Sequence, residues 1–280
     1  MIIWISSYPK SGNTLVRSIL SSLIFTEDGN LNFKKLGAIP QYPKKKYFEG
    51  FTDQYSNTEE LSKFWIPSQK KLNLDKQLKF LKTHHAKCNI FNNSFTDNNN
   101  TLGIIYIVRD PRDVVISFAN HFSQTIEEAK NMMINSYAFT YDELDNIDKS
   151  IHILLGSWAD NYNSWVKNNK NVLLIKYENL ITNKKDELLK IIKFLNKFII
   201  FNPDDSKINN CINSTSFENM KLMEEKGLFH EDKINRNTLK KIKFFNKGER
   251  QTWKNILDTK IRKEIEKKFD KEMKELGYLD

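Results

Sequence analysis

Residues 1–25 set the frame for the rest of the chain. Ile2-Ile3-Trp4-Ile5 is a short apolar run that suits a buried strand, and Leu15, Val16, Ile19, Leu20, Leu23 and Ile24 recur at helical spacing. Between them stands Ser6-Ser7-Tyr8-Pro9-Lys10-Ser11-Gly12-Asn13-Thr14. Strand, short loop and helix in that order make an anion site. The helix N-terminus offers unpaired backbone N–H groups and the positive end of a dipole. Gly12 lets the backbone approach an anion closely, and Lys10 adds a full charge.

The same alternation continues. Residues 26–75 read as irregular and polar, with lysines at 44–46 and 70–71 among aromatics such as Tyr42, Phe48, Phe51 and Trp65, a stretch suited to covering a site. Residues 78–83 alternate like a strand, and the asparagine-rich 92–100 predicts an exposed loop. Gly103–Val108 reads as a buried parallel strand, followed by a turn and helix start over 109–113. Polar helical pieces are expected over 120–150, one helix over 151–166, a strand over 172–175, and an amphipathic helix over 184–198. Residues 201–250 read as loop-rich and basic. Leu257, Ile261, Ile265, Phe269, Met273 and Leu276 form one helical stripe at the end.

Strands alternating with helices predict an α/β fold, a three-layer P-loop-type domain with a central mainly parallel sheet flanked by helices. In such sheets ligands bind at the carboxyl ends of the strands. Lys10, the Lys82–His84 pair and Arg109 all fall there. With 280 residues, no internal repeat and no clear linker, residues 1–280 are expected to be a single domain. The net charge of +9 suits anionic ligands without choosing among nucleotide, nucleic acid and acidic polymer. Cys88 and Cys211 are the only cysteines, which argues against a disulfide scaffold and fits a reducing, cytoplasmic setting. No transmembrane run is present, and the apolar start is too short and lacks the basic flank of a signal peptide.

Each motif also has an ordinary reading. The first loop is not a nucleoside-triphosphate loop, which needs Gly, four residues and then Gly-Lys-Ser/Thr; here the lysine precedes the glycine. A kinase-like P-loop transferase is disfavoured on that ground. His84, at the end of a predicted strand, suits a general base. His85, His121, His152 and His230 read as surface or satisfied core residues. No metal is expected: His84 and His85 point opposite ways on an extended chain, and Cys88 is no convincing third ligand. Arg109 with Ser117 suits a second phosphate, against an ordinary pairing of Arg109 with Asp110 or Asp113. Lys247-Gly248 can fold over an anion, against a solvated basic loop. A non-enzymatic polyanion binder is the remaining alternative, and it predicts steep salt dependence.

In this order the pieces resemble the cytosolic-type sulfotransferases, which use 3′-phosphoadenosine 5′-phosphosulfate (PAPS). The resemblance rests on Tyr8–Thr14, Lys82-Thr83-His84, Tyr106–Phe118, Gly156-Ser157-Trp158, Lys176-Tyr177-Glu178, Thr215-Ser216-Phe217-Glu218-Asn219-Met220, Lys247-Gly248 and Trp253-Lys254-Asn255. It runs from residue 2 to about residue 257. Three departures stand out. Leu15 replaces a tryptophan that packs on adenine, Asn246 replaces an arginine before Lys-Gly, and the short dimerisation motif of many animal members is absent.

The resemblance implies transfer of a sulfuryl group from PAPS to a hydroxyl or amine of a small-molecule or carbohydrate acceptor, leaving 3′,5′-adenosine bisphosphate (PAP). It implies His84 as base, Lys10 on the leaving phosphate with the N–H groups of Gly12, Asn13 and Thr14 beside it, and Lys82 on the sulfonate. Ser11 belongs to the same phosphosulfate loop. Arg109, Ser117, Lys247 and Gly248 would hold the 3′-phosphate; Tyr177, Thr215 and Phe217 would position adenine. It requires neither a metal nor nucleic acid, and it leaves the acceptor and the oligomeric state open.

Overall fold

In the computed structural model, which describes residues 1–135, 137–140, 151–229, 231, 233–234, 241–245 and 251–280, the opening apolar run is β1 (Ile2–Ser7), buried along its whole length. The loop after it enters α1 (Asn13–Phe25). Residues 26–75 hold more structure than their polarity suggests: 3-10 turns at Phe33–Ala38 and Lys45–Tyr47, then α2 (Thr58–Ser62) and α3 (Trp65–Leu72). Their aromatics Tyr42, Phe48 and Trp65 are buried core. Next come β2 (Lys79–Thr83) and a small hairpin, β3 (Asn89–Ile90) with β4 (Asn93–Ser94). The expected exposed loop over 92–100 is therefore only partly one. Phe95 is fully buried against Trp4, Tyr42 and Trp65, and it carries Thr96 and Asn100 inward with it.

β5 (Thr101–Val108) leads into α4 (Pro111–Phe122), where the Asp110 side chain accepts from the Arg112 N–H and Pro111 takes a first-turn position that needs no donor. α5 (Ile126–Ile134) follows, then β6 (Tyr137–Thr140), antiparallel to β7 (His152–Gly156). The helix expected over 151–166 is thus half strand. Gly156 turns the chain at φ +67°, and Ser157 with Asp160 forms a capping box that starts α6 (Trp158–Val166). β8 (Val172–Lys176) runs directly into α7 (Tyr177–Thr182), followed by α8 (Lys184–Leu195), which stops short of the expected residue 198.

Residues 201–250 are not loop throughout. They contain α9 (Asp205–Ser214) and α10 (Phe217–Glu225), capped by Asp204 and Ser216, and the two-residue strands β9 (Lys233–Ile234) and β10 (Lys241–Ile242). The final stripe is divided among α11 (Trp253–Ile256), α12 (Thr259–Lys268) and α13 (Asp270–Glu275). Ile265, Phe269, Met273 and Leu276 are buried, whereas Leu257 and Ile261 are half-buried.

The main sheet has the order β2-β1-β5-β8. β1 runs parallel to β2, from Ile2↔Lys79 to Ser6↔Thr83, and parallel to β5, ending at Ser7↔Ile107. The fold is α/β with a central parallel sheet flanked by helices, as the alternation predicts. Two compact units divide the chain, each assembled from three segments. Unit 1 (1–8, 39–107, 135–174) carries the sheet and an aromatic core of Trp4, Tyr42, Trp65, Phe95 and Trp165. Unit 2 (9–38, 108–134, 175–280) is mainly helical, with Phe33, Phe229 and Phe245 packed on one another. Among the described residues no helix is long and apolar enough to cross a membrane.

Candidate functional site

Each strand of the sheet ends beside a residue that the sequence singles out. β1 ends at Ser7 before the Tyr8–Thr14 loop, β2 at Thr83 before His84, β5 at Val108 before Arg109, and β8 at Lys176 before Tyr177.

Unit 2 takes up this loop from Pro9. Lys10 has φ +68° and Gly12 has φ +102°. A left-handed lysine costs about 1–2 kcal/mol, and such strain collects where function needs it. Gly12, the N-cap of α1, offers no side chain to cap it, and no acidic residue stands in the first turn of the helix. Its N-terminal N–H groups therefore keep the donor character and positive dipole end that favour an anion. The Ser11 hydroxyl is buried with no hydrogen-bond partner among the described residues. An anion seated on the loop would answer both needs.

Gly12 is required by space as well as by conformation. A Cβ there would lie 2.5 Å from Tyr177 Cδ2, so the tyrosine ring rests against the loop backbone. The Arg109 guanidinium lies 4.3 Å above the centroid of the same ring. Loop, ring and guanidinium thus form one stack, and both Arg109 and Tyr177 are buried. The ordinary pairing of Arg109 with Asp110 or Asp113 is not what these acids serve. Asp110 takes Arg112, at 2.7 Å from Nη2. Asp113 accepts from the Gln251 N–H (2.7 Å), the Trp253 N–H (3.0 Å) and the Thr252 hydroxyl (2.9 Å). Burial pushes the Asp110 and Glu178 carboxyls above their usual range, although Arg112 pulls Asp110 the other way.

Ser117 stands on α4, half-buried. Thr215 is fully buried, and its hydroxyl donates to the Cys211 carbonyl at 2.7 Å. Lys184 donates to the Thr215 carbonyl at 2.7 Å, and burial holds that amine below its usual range. Phe217 opens α10 behind its cap Ser216, with its ring 6.3 Å from that of Phe245. Lys247, Gly248 and Asn246 lie outside the described residues, as does His230.

The sequence reading missed two neighbours of Lys10. Its ammonium sits 4.0 Å over the Phe244 ring and 3.5 Å from His121 Nδ1. His121, read as a surface or core residue, is half-buried beside it. The one signal for Phe244 was the Phe244-Phe245 pair interrupting a lysine-rich run.

In unit 1, His84 Nδ1 is 2.8 Å from the Ser7 carbonyl and 3.3 Å from the Ser7 hydroxyl. A carbonyl only accepts, so Nδ1 carries the proton and Nε2 is the basic nitrogen. Asn161 Nδ2 donates to the His84 carbonyl at 2.9 Å, which fixes the backbone beneath the ring. Lys82 precedes it on β2, opposite Ile5 of β1, and its side chain is half-buried. His85 faces the other way, stacked 4.2 Å from Phe95, with its Nδ1–H donating to the Ala86 carbonyl at 2.7 Å. Burial pushes it down to about 4. His152 is satisfied by Thr58 at 2.7 Å. Among the described residues no group of three or more His, Cys, Asp or Glu side chains could hold a metal ion.

The family model described as the sulfotransferase domain matches residues 2–277. Rat sulfotransferase 1E1 is 27% identical over 275 residues, covering 96% of this chain and 82% of the relative. Rabbit amine sulfotransferase is 26% identical over 279 residues, covering 98% and 81%. The crystal structure of mouse sulfotransferase SULT7A1 complexed with PAP superposes with a TM-score of 0.59 at 21% identity, covering 97% of this chain and 84% of that one, a likeness of fold.

Proposed function

The chain belongs to the sulfotransferase family, and on that premise we propose how its residues divide the work of PAPS-dependent sulfuryl transfer. The stack of Gly12, Tyr177 and Arg109 at the uncapped start of α1 carries the reading. An uncapped helix N-terminus with a buried, unanswered serine hydroxyl suits a 5′-phosphosulfate. A guanidinium over an aromatic ring suits a second phosphate beside a base. Ser11, Gly12, Asn13 and Thr14 bind the first anion. Arg109 and Ser117 hold the 3′-phosphate, together with Lys247 and Gly248. Tyr177, Thr215 and Phe217 position adenine; Thr215 does so from its buried place between α9 and α10 rather than through its committed hydroxyl.

PAPS, when bound, supplies an activated sulfuryl group. His84 Nε2 takes the proton from the acceptor hydroxyl or amine, a role that the Nδ1–H bond to Ser7 prepares. The new bond joins the acceptor atom to sulfur, and the bond from sulfur to the 5′-phosphate oxygen breaks with its electron pair left on phosphate. Lys10 neutralises the charge that builds on that oxygen, and Lys82 steadies the sulfonate. The acceptor is a small molecule or carbohydrate. Residues 1–280 work as one sulfotransferase domain, and the free thiols Cys88 and Cys211 suit a cytoplasmic setting.

Calorimetric titration with PAP, with ATP plus magnesium as control, tests the donor site. Micromolar PAP binding with little response to ATP is expected. Absence of PAP binding would remove the assignment of this loop and return the polyanion-binding reading.

A further inference from the structure

Asp110 and Glu178 come directly after Arg109 and Tyr177 in the chain, and they are joined in a closed ring. The Asp110 N–H donates to Glu178 Oε1 at 2.9 Å, which ties the end of β5 to the start of α7. The Tyr278 hydroxyl donates to Glu178 Oε2 at 2.9 Å. The Tyr278 carbonyl accepts from Arg112 Nη2 at 2.8 Å, and the same nitrogen donates to Asp110 Oδ2 at 2.7 Å. The ring therefore runs Asp110, Glu178, Tyr278, Arg112 and back to Asp110.

Its members are anchored from outside. Arg112 also donates to Glu266 at 2.7 Å and lies 3.9 Å over the Trp253 ring. Lys176 lies 4.4 Å over the Tyr278 ring and donates to the Leu276 carbonyl. Tyr278 is the member that reaches both sides, by its phenol on Glu178 and its carbonyl on Arg112.

The ring holds two carboxyls, Asp110 buried and Glu178 half-buried, each next in the chain to a member of the stacked pair Arg109 and Tyr177. A buried carboxylate without a donor is costly, and it draws the nearest cation. Arg112 answers Asp110, while the Tyr278 hydroxyl answers the outer oxygen of Glu178. Arg109, whose charge also reaches Tyr278, lies over Tyr177.

We propose that Tyr278 is a positioning residue for the second-phosphate pocket: by satisfying Glu178 it keeps the Arg109 guanidinium over Tyr177 and sets the preference for a ligand with a 3′-phosphate. This rests on Arg109 binding that phosphate. Nothing in the motif pattern assigns Tyr278 such a role, because it lies beyond the last matched element.

The test is calorimetry on the full chain with PAP and with adenosine 5′-monophosphate, which lacks the 3′-phosphate. Tyr278→Phe is expected to lose about tenfold in PAP affinity, the size of one hydrogen bond to a charged group, with monophosphate affinity unchanged. In an Arg109→Ala background Tyr278→Phe should have no further effect on PAP. Equal loss for both ligands means a general structural role and overturns the proposal, as does no loss for either. If the wild-type chain binds PAP no better than the monophosphate, the reading of Arg109 itself falls and takes the proposal with it.

Discussion

Two glycine junctions in this molecule use the same grammar to opposite ends. At one, β1 passes through Gly12 into α1; at the other, β7 passes through Gly156 into α6. Both glycines have positive φ, +102° and +67°, and a Cβ at either would collide, with Tyr177 Cδ2 at 2.5 Å and with Asp160 Cβ at 2.8 Å. They differ in how the helix beyond the glycine begins. Ser157 accepts from the Asp160 N–H at 3.1 Å, and the Asp160 carboxylate accepts the Ser157 N–H at 3.0 Å, so α6 closes its own end. α1 has no such cap. A helix start becomes a binding site when the residues that would satisfy it are left out.

The hardest way to break this contrast is Gly12→Ala. It sets a methyl group into the Tyr177 ring at a left-handed position, which should cost about 4 kcal/mol, near 10³-fold in PAP affinity by calorimetry. Lys10→Ala should cost about 10²–10³ in kcat/KM for PAPS, as for a preorganised donor to a developing charge. Near-normal turnover in that variant would remove Lys10 from the mechanism.

Acid also reaches the core of unit 1, through His85. His85 is held down to about 4 by burial. Its contribution is therefore complete above the unfolded value of ~6.5. About 3 kcal/mol is lost as pH falls from there to about 4, since only the unfolded chain takes up the proton in that window. Denaturant titrations at pH 7 and pH 4.5 measure the loss, and His85→Phe should flatten it. The smallest effect is at the closed junction. Ser157→Ala should lower stability by about 1 kcal/mol and leave PAP affinity unchanged; a change in PAP affinity would mean that the capped helix is not merely structural.

The first strand, the first helix and the central strand were more legible than what supports them. β1, α1 and β5 announce themselves by period and by the lysine, glycine and arginine beside them. The β7–α6 break was missed because Leu154-Leu155 and Trp158 also fit a helix, although Gly156-Ser157 with Asp160 three residues on was a readable start signal. α9 and α10 were missed because they bury so little, Ile208 and Cys211 in one and Met220 in the other. Their caps, Asp204 and Ser216, were the better clue. Phe95 was hidden in an asparagine-rich stretch, where composition spoke louder than a single core anchor. The partners of Lys10, and the ring through Tyr278, depend on pairings across a hundred residues or more that no local pattern encodes.

The tryptophans offer an optical handle on this architecture. Of the 5 in the sequence, Trp4, Trp65, Trp158 and Trp165 belong to unit 1, and Trp253 alone belongs to unit 2. Its indole lies 3.9 Å from the Arg112 guanidinium, the cation that holds Asp110 beside Arg109. A charge that close to an indole shifts the energy of its excited-state dipole. The emission that disappears in Trp253→Phe is therefore a label-free report on the Arg112 side of unit 2, read against the background of the other four rings.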